Sequence, residues 1–307
     1  MPKAKNPSLD SLSRCLYISV IAASSTVVTV PALAQTSTLS QAALPASVWA
    51  VTATNELIQV NASAPRKVLQ RKAIKGLMTG ENLVGIDYRV SRGVLFGLSQ
   101  IGRIYTINTA TGDVSPVGAT AAIPGLQDQT MGFDFNPAAD RIRVVSSGGL
   151  NLRLHPETGA QVDFDPKTDG VQADPSLSFA AGDINFGKKP DVVAAAYTYN
   201  KKNEKLTTNY TIDRSLGALL MQGSQEDMQP VVSPNLGQLS TLGSLGLGKL
   251  KDASFDISDL GNISLAAVRT AHSKQTRLVQ IDLMSGTAKT LGTLGNGEPV
   301  VGLAIQP

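Results

Sequence analysis

Four aspartates recur at related positions of this chain, and they are its strongest candidates for chemistry. They lie in segments that read Gly-Ile-Asp-Tyr, Gly-Phe-Asp-Phe, Ala-Gly-Asp-Ile and Ser-Phe-Asp-Ile, and they are Asp87, Asp134, Asp183 and Asp256. Carboxylates that converge on one point can bind a cation such as Ca²⁺, or a polar ligand. The same side chains can instead accept backbone N–H groups from neighbouring strands, because a buried carboxylate needs hydrogen-bond partners. The sequence leaves both interpretations open.

Other motifs that resemble functional sites are explained by backbone turns. The Asp-x-Asp-x-x-x-Asp-Gly run at 163–170 differs in spacing from an EF-hand loop and lacks its chelating glutamate. Residues 243–249 match most of a phosphate-binding loop, but Leu250 stands where Ser or Thr would bind Mg²⁺. The two histidines, His155 and His272, are far apart, and no Gly-x-Ser-x-Gly motif adjoins either. The residues therefore indicate no histidine-based triad and no multi-histidine metal centre.

The first residues have the pattern of a secretory signal peptide. A basic start is followed by an uncharged, mostly apolar run over 16–30 and by Ala-Leu-Ala ahead of Gln35. We therefore predict a signal peptide over 1–34, a flexible leader over 35–46 and a single folded domain over 47–307. The predicted location is the periplasm or the medium, and no segment of the remaining chain is long and apolar enough to predict a transmembrane helix.

Composition excludes several classes of function once the predicted signal peptide is removed. The only cysteine, Cys15, leaves with it, so disulfides, thiolate nucleophiles and cysteine-bound metals are not expected. The net charge falls from +3 to +1, which gives no reason to expect a nucleic-acid partner.

One predicted outer strand carries a cluster of basic residues: Arg66, Lys67, Arg71, Lys72 and Lys75. We interpret this cluster as protection of a sheet edge, with binding to an anionic surface or an acidic partner as the alternative.

A turn with fixed spacing positions the candidate residues. In each copy a polar residue ends an alternating strand, three residues follow, and glycine closes the turn. The four copies are Asn108 to Gly112, His155 to Gly159, Asp213 to Gly217 and Asp282 to Gly286, and a divergent copy runs from Asn61 to Pro65. Glycine suits a hairpin position with positive φ, and Asn or Asp can bond the backbone two residues on. The copies therefore predict repeated antiparallel hairpins.

The two ends of the repeat predict how the chain closes. The first hairpin, at 48–60, has no Gly-x-Asp strand before it, and the last strand, at 301–304, has no hairpin after it. Together they make one complete unit. We therefore predict an all-β, five-bladed β-propeller with four-stranded antiparallel blades, in which the C-terminal strand completes the first blade. An open β-sandwich is the alternative fold, but it does not require complementary half-units at the termini.

Several longer motifs resemble those of a known family. They read GFDFNP at 132–137, DRIRVV at 140–145, NLR at 151–153 and HPETG at 155–159, and AAYT at 195–198 resembles a second signature. The chain is similar over roughly 48–306 to a bacterial family known only as domain of unknown function 4394. Tyr199 and Asn209 depart from the expected asparagine and aliphatic residue. The resemblance implies an exported, propeller-like protein and implies no activity.

These observations favour a non-catalytic exported propeller that binds an unidentified partner protein or small ligand, through the central aspartates or through loops such as the insertion at 223–237. The alternative is a hydrolase, glycosidase-like or metal-dependent, that uses carboxylates in the central channel. A third hypothesis is a structural surface protein that multimerises, although we expect a monomer. We expect no cofactor, with Ca²⁺ at the aspartates as the exception to test. The blade position equivalent to the four aspartates holds Ala304 in the first blade.

Overall fold

The protein folds as strands connected by turns. The structure, a computed structural model, describes residues 43–119 and 131–307. The predicted signal peptide and most of the predicted leader lie outside these residues. Two short 3₁₀ turns, Val90–Arg92 and Pro234–Leu236, are the helical elements of the described part. None of the described helices has the length and apolar character needed to cross a membrane.

In the described ranges, twenty strands form five sheets, which we call blades 1 to 5. Blade 1 begins with β1 (Val48–Thr52), β2 (Glu56–Val60) and β3 (Val68–Ala73). Blade 2 contains β4 (Leu83–Arg89), β5 (Val94–Ser99), β6 (Ile104–Ile107) and β7 (Val114–Val117). Blade 3 contains β8 (Met131–Asn136), β9 (Arg141–Ser146) and β10 (Asn151–Leu154). Blade 4 contains β11 (Ser178–Phe179), β12 (Val192–Tyr197), β13 (Asn209–Asp213), β14 (Ala218–Gln222) and β15 (Gln238–Ser244). Blade 5 contains β16 (Leu250–Ile257), β17 (Ser264–Thr270), β18 (Arg277–Ile281) and β19 (Ala288–Thr293), and the last strand is β20 (Val300–Ile305).

The C-terminal strand closes the ring, as the sequence predicts. β20 pairs antiparallel with β1, with Val48 opposite Ile305 and Ala50 opposite Leu303, so blade 1 has the order β20-β1-β2-β3. The inner strands β20, β4, β8, β12 and β16 each contact the next, and β16 contacts β20 again. The predicted five-bladed propeller is confirmed.

The hydrophobic core lies between adjacent blades. In one cluster Trp49 and Leu57 of blade 1 pack with Ile86 and Tyr105 of blade 2. Similar clusters join blades 2 and 3, blades 3 and 4, blades 4 and 5, and blades 5 and 1. Each sheet is therefore buried on both faces by its neighbours, which is why its strands carry apolar residues at successive positions.

Blade 4 differs from the predicted strand order. The segment at 192–197 is the inner strand β12, whereas 181–184, which holds the Ala-Gly-Asp-Ile copy of the aspartate repeat, is a turn. The turn at 213–217 consequently connects the second and third strands of this blade, not the third and fourth. The two-residue strand β11 pairs parallel with β15 and gives this sheet a fifth strand. In blade 3 the fourth strand expected of each blade is reduced, among the described residues, to one bridge between Leu154 and Gln161.

Glycines let the inner strands approach one another closely. A Cβ on Gly132 would lie 2.5 Å from the backbone nitrogen of Ala195, and one on Gly302 would lie 2.8 Å from that of Ile86. The space that these strands leave along the axis is about 10 Å³, enough for a single water molecule. The middle of the propeller is therefore a narrow neck with no room for a ligand of several atoms.

Candidate ligand-binding site

Three of the four predicted aspartates meet at the axis. Asp87, Asp134 and Asp256 lie on the inner strands β4, β8 and β16, and each can present one carboxylate oxygen within 4.8 Å of the others. Their exposed fractions are 4 %, 3 % and 5 %. We call this group the axial carboxylates. It is the one group of at least three acidic, histidine or cysteine side chains with this spacing in the described part of the chain.

Each axial carboxylate also ties its blade to the next one. Asp87 accepts a hydrogen bond from the N–H of Phe135 at 2.7 Å, and Asp134 accepts one from Tyr197 at 2.9 Å. Asp256 accepts the N–H of Ile305 at 2.5 Å. The aspartates therefore combine the two arrangements that the sequence left open, since they converge at the axis and also bond between blades.

The repeated hydrogen bond identifies the equivalent positions in the other two blades. The donor in each case immediately follows the repeat position, so Ala196 in blade 4 and Ala304 in blade 1 are equivalent to the aspartates. Alanine there leaves the axis without a carboxylate from those two blades. Around the ring, the alanines of blades 4 and 1 therefore separate Asp256 of blade 5 from the adjacent pair Asp87 and Asp134.

Burial and mutual repulsion favour protonation of the axial carboxylates. Desolvation raises the pKa of Asp87 and of Asp134 well above the usual range, and the neighbouring carboxylates add to the effect. Desolvation also raises the pKa of Asp256 to about 7. The hydrogen bond between Asp87 and Asp134 lowers the pKa of Asp87 and raises that of Asp134. Both oxygens of Asp87 already accept backbone N–H groups, so we place the proton of this contact on Asp134.

Asp183 lies away from this group, so the prediction that it joins the axial aspartates is wrong. It sits in the turn before β12 and accepts hydrogen bonds from the Thr241 N–H at 2.5 Å and from the Asn185 N–H at 2.7 Å. Burial acts to raise its pKa, but these bonds outweigh burial and hold the pKa below its usual value. Asp183 therefore caps the outer strand of blade 4, where an unpaired N–H would leave an exposed sheet edge.

A cavity of about 390 Å³ opens where the inner strands end. Loops from blades 2, 3, 4 and 5 line it, so it lies around the axis, and we call it the end cavity. Its lining residues are Arg89, Val90, Ser91, Phe135, Asn136, Pro137, Asp140, Tyr199, Asn200, Lys201, Glu204, Leu206, Asp259 and Leu260. Most of these residues immediately follow the inner strands, which places the axial carboxylates next to the cavity but not in its wall.

Tyr199 connects the end cavity with the axial carboxylates. Burial raises the pKa of its phenol, and the charges of Asp87, Asp134 and Asp256 raise it further, so the ring lies within electrostatic reach of all three. The backbone of Tyr199 is fixed by Asn262, whose side chain accepts its N–H at 2.7 Å and donates to its carbonyl at 3.0 Å. The one sequence signal for this residue is its departure from the family pattern.

An ion-pair cluster forms the wall of the cavity between blades 2 and 3. The Arg89 guanidinium donates through Nε to Asp140 at 2.9 Å and through Nη2 to Glu157 at 2.5 Å. Hydrogen bonding to Asp140 raises the pKa of Arg89, although burial opposes the shift. Asp140 adopts a left-handed backbone with φ of 49°. Two carboxylates therefore neutralise the most buried cation of the cavity.

Asp259 differs from the other acidic residues of the cavity. It is partly buried, and among the described residues it has no hydrogen-bond donor and no basic partner. Its charge raises the pKa of Tyr199 and of Asp256. Lys201 and Glu204 lie on the exposed part of the loop between β12 and β13. Asp259 is thus an unpaired carboxylate at the inner wall, and sequence reasoning did not identify it because it lies in an ordinary strand-to-strand turn.

The insertion at 223–237 is anchored and does not reach the cavity wall among the described residues. Arg143, fully buried in blade 3, donates to Asn235 at 2.5 Å and to Asp174 at 2.6 Å. Gln222 donates to the carbonyl of Pro234 at 2.7 Å. These bonds hold the insertion against blade 3, so it closes the interface between blades 3 and 4.

The remaining motifs have structural explanations. Asp163 accepts the N–H groups of Asp165 and Gln172, which shapes the loop at 163–172. The glycine-rich run at 243–249 connects the outer strand of blade 4 with the inner strand of blade 5, as expected. These runs are turns in the described structure.

Two residues of the basic cluster of blade 1, Arg71 and Lys72, have partners in the structure. Arg71 forms ion pairs with Glu56 and Glu298, and the Lys72 ammonium lies 5.6 Å from the centre of the Trp49 ring. Both residues lie on the outer strand β3, which fits the interpretation of edge protection.

Several solved structures resemble the chain in fold. A chain of the nidogen/laminin complex shares 8 % identity with a TM-score of 0.47, over 85 % of this chain and 98 % of that one. A structural genomics protein of unknown function from Bacteroides thetaiotaomicron shares 12 % identity with a TM-score of 0.44, over 81 % and 58 %. The hydrazine synthase of Kuenenia stuttgartiensis shares 12 % identity with a TM-score of 0.37, over 72 % and 53 %. The chain thus spans little more than half of each of the last two.

No curated protein matches the sequence. A family model described as a domain of unknown function, DUF4394, matches residues 56–304. This match includes strands of all five blades and the three axial carboxylates, and the chain therefore belongs to the DUF4394 family.

Proposed function

We propose that this chain is an exported β-propeller protein that binds a small ligand in the end cavity. The observation that carries the proposal is the cavity itself, about 390 Å³ in volume and formed by loops of four blades at the end of the axis. Ligand sites in proteins are commonly concave, about 300–1,000 Å³ in volume, and mostly apolar with a few placed polar groups. The proposed export rests on the signal-peptide pattern at 1–34.

The composition of the wall supports binding of a small molecule. Phe135, Pro137, Leu206 and Leu260 supply apolar surface, and Tyr199 adds an aromatic ring with a polar tip. Arg89 and Asp140 form an ion pair between blades 2 and 3, whereas Asp259 comes from blade 5. Such an arrangement can orient a ligand that has one polar end and one apolar end, because the polar end can contact the charged side chains while the apolar end packs against the apolar ones.

A non-catalytic role agrees with the position of the axial carboxylates. A general acid or base must lie within hydrogen-bond reach of the reacting group. Asp87, Asp134 and Asp256 are buried and bonded to backbone N–H groups, and they are not among the described residues that line the cavity. The hydrolase alternative would need these side chains to reach the ligand, so we favour binding without chemistry.

A metal ion at the axial carboxylates is a second candidate, because their oxygens lie within 4.8 Å of one another. Calcium takes about six to eight oxygen ligands in proteins, and three carboxylates supply only part of such a shell. Elemental analysis of the purified protein and a calcium titration followed by thermal unfolding test this candidate. Bound metal, or a rise in melting temperature with calcium, would support it.

The proposed function is tested by filling the cavity. Ser91 lines the cavity, is exposed and forms no hydrogen bond with another described residue, so Ser91→Trp should fill space without breaking the fold. Arg92 is its exposed neighbour outside the wall, and Arg92→Trp is the matched control. Each protein is equilibrated with a bacterial metabolite extract, and retained molecules are identified by native mass spectrometry.

We expect the unchanged protein and Arg92→Trp to retain the same small molecule and Ser91→Trp to lose it. Equal retention by Ser91→Trp would contradict the proposed site. Retention of nothing above the background of the extract would contradict the proposed function.

A further inference from the structure

We propose that the ligand of the end cavity is an organic cation, with an ammonium or guanidinium group beside Asp259 and Tyr199 and an apolar body against Leu206 and Leu260. The inference deepens the proposed function and rests on it. It depends on the charges of the wall, on the missing partner of Asp259 and on the aromatic ring next to it.

The first argument is the charge of the wall. Three carboxylates line the cavity, at Asp140, Glu204 and Asp259, against the two cations Arg89 and Lys201. Arg89 is already paired with Asp140 and Glu157. Lys201 and Glu204 are both exposed, so water screens their charges, whereas Asp259 is partly buried. The inner wall therefore has an excess of negative charge.

The second argument is the state of Asp259. A partly buried carboxylate loses hydration and regains stability from a donor or a cation. Asp140 has Arg89, and Asp252, on the same inner strand of blade 5 as Asp256, has Arg269. Asp259 has neither a donor nor a basic partner among the described residues, although it faces the cavity. An ammonium group of the ligand would supply the missing partner.

The third argument is the surroundings of Asp259. Tyr199 lines the same cavity, and a cation beside an aromatic ring is attracted by the negative face of that ring. The Asp259 carboxylate, which lines the same cavity, adds its own negative charge beside this ring. The same groups would repel an anionic ligand.

Matched probes test the charge of the ligand directly. Each set has one apolar body with three end groups: 2-phenylethylamine, 2-phenylethanol and 3-phenylpropionate, and then hexylamine, hexanol and hexanoate. Binding to the full chain is measured by calorimetry at neutral pH. We expect the amines to bind and the alcohols and carboxylates to bind at least about tenfold more weakly, since a charge-assisted hydrogen bond contributes roughly that factor.

Variants locate the binding. Asp259→Asn keeps the size of the side chain and removes its charge, and it should weaken amine binding about tenfold. Asp169→Asn, an exposed aspartate in the loop between β10 and β11, makes the same change in net charge and should leave binding unaltered. Ser91→Trp should abolish binding of every probe that occupies the cavity.

Each remaining result overturns a defined part of the account. Preferred binding of the carboxylates or alcohols, blocked by Ser91→Trp, would leave the cavity as a ligand site and overturn the cationic class. Amine binding that Asp259→Asn does not weaken would overturn the role of Asp259. Binding of no amine at millimolar concentration would overturn the proposal, and binding that Ser91→Trp does not block would overturn the proposed site as well.

Discussion

Asp134 and Asp87 occupy equivalent positions in neighbouring blades, but they differ in how their carboxylate oxygens are hydrogen-bonded. Both side chains accept an N–H group from the next inner strand. Asp87 also accepts the N–H of Tyr88 at 2.7 Å, so both of its oxygens are used as acceptors. The other oxygen of Asp134 accepts no N–H group of the described residues, so it is available for a hydrogen bond with Asp87. The proton that makes this contact favourable therefore belongs on Asp134.

This assignment predicts different effects for two isosteric substitutions. Asp134→Asn keeps an acceptor for Tyr197 and supplies an N–H donor to Asp87, so stability at pH 6 should change by less than about 1 kcal/mol. Asp87→Asn replaces one of two needed acceptors with a donor and should cost about 1–3 kcal/mol. Urea unfolding of the two variants measures the difference. The assignment of the proton would be wrong if Asp134→Asn proved the more damaging change.

The pKa of Asp256 predicts how stability depends on pH. A carboxyl whose pKa is raised in the folded state binds its proton more tightly when folded. Its stabilising contribution is complete below the unfolded pKa, about 4, and is lost as the pH rises through the folded value, about 7. The free energy of unfolding should therefore fall by roughly 1–3 kcal/mol between pH 5 and pH 8.

The control for this prediction is Asp256→Asn. This substitution removes one side-chain oxygen that accepts a backbone N–H group, so the variant should be less stable than the unchanged protein at every pH. Its free energy of unfolding should nevertheless change less between pH 5 and pH 8. A free energy of unfolding that rises from pH 5 to pH 8 would contradict the account. Such a rise would indicate charged carboxylates balanced by a bound cation.

At the scale of single elements, the strands were predictable and their roles in blade 4 were not. In blades 2, 3 and 5 an aspartate within an apolar strand marks the inner position. Blade 4 has Ala196 there, so β12 looks like any buried strand, and Gly182-Asp183 in the preceding turn imitates the missing signal. A repeat position can be recognised in the sequence only where the characteristic residue, here aspartate, is present. The hydrogen bond that the Tyr197 N–H donates to Asp134 identifies the position once the structure is known.

The inner strands predict a strict requirement for small residues at the neck of the axis. A Cβ on Gly132 would lie 2.5 Å from a backbone atom of blade 4, so Gly132→Ala should force the two strands apart and cost about 1–3 kcal/mol or more. Ser254, at the equivalent position of blade 5, already carries a Cβ, and Ser254→Ala should cost less than about 1 kcal/mol. Thermal unfolding compares the two. Similar melting temperatures would contradict the close approach.

At the scale of the whole molecule, closure by β20 makes the ring depend on its last residues. Deleting 300–307 removes the partner of β1, the N–H that Asp256 accepts and apolar residues of the core between blades 5 and 1. The shortened chain should lose cooperative unfolding or melt many degrees lower. Deleting Pro307 alone, which is exposed, is the control and should have little effect. An unchanged melting curve for the longer deletion would contradict closure.

The end cavity belongs to the whole molecule, and this explains why the sequence did not predict it. Its wall joins Arg89, Asn136, Tyr199 and Asp259, which lie in four different blades and in turns that resemble ordinary loops. The sequence predicts that such turns exist. Their side chains come together only after the ring has closed, because closure decides which turns surround the axis.

The most direct test of the account is a crystal structure of the protein with the molecule that it retains from a metabolite extract, with anomalous scattering measured to detect metals. The account predicts ligand density in the end cavity, with a cationic group beside Asp259 and the ring of Tyr199, and no metal between the axial carboxylates. Ligand density elsewhere on the propeller, or an anomalous peak between Asp87, Asp134 and Asp256, would contradict it.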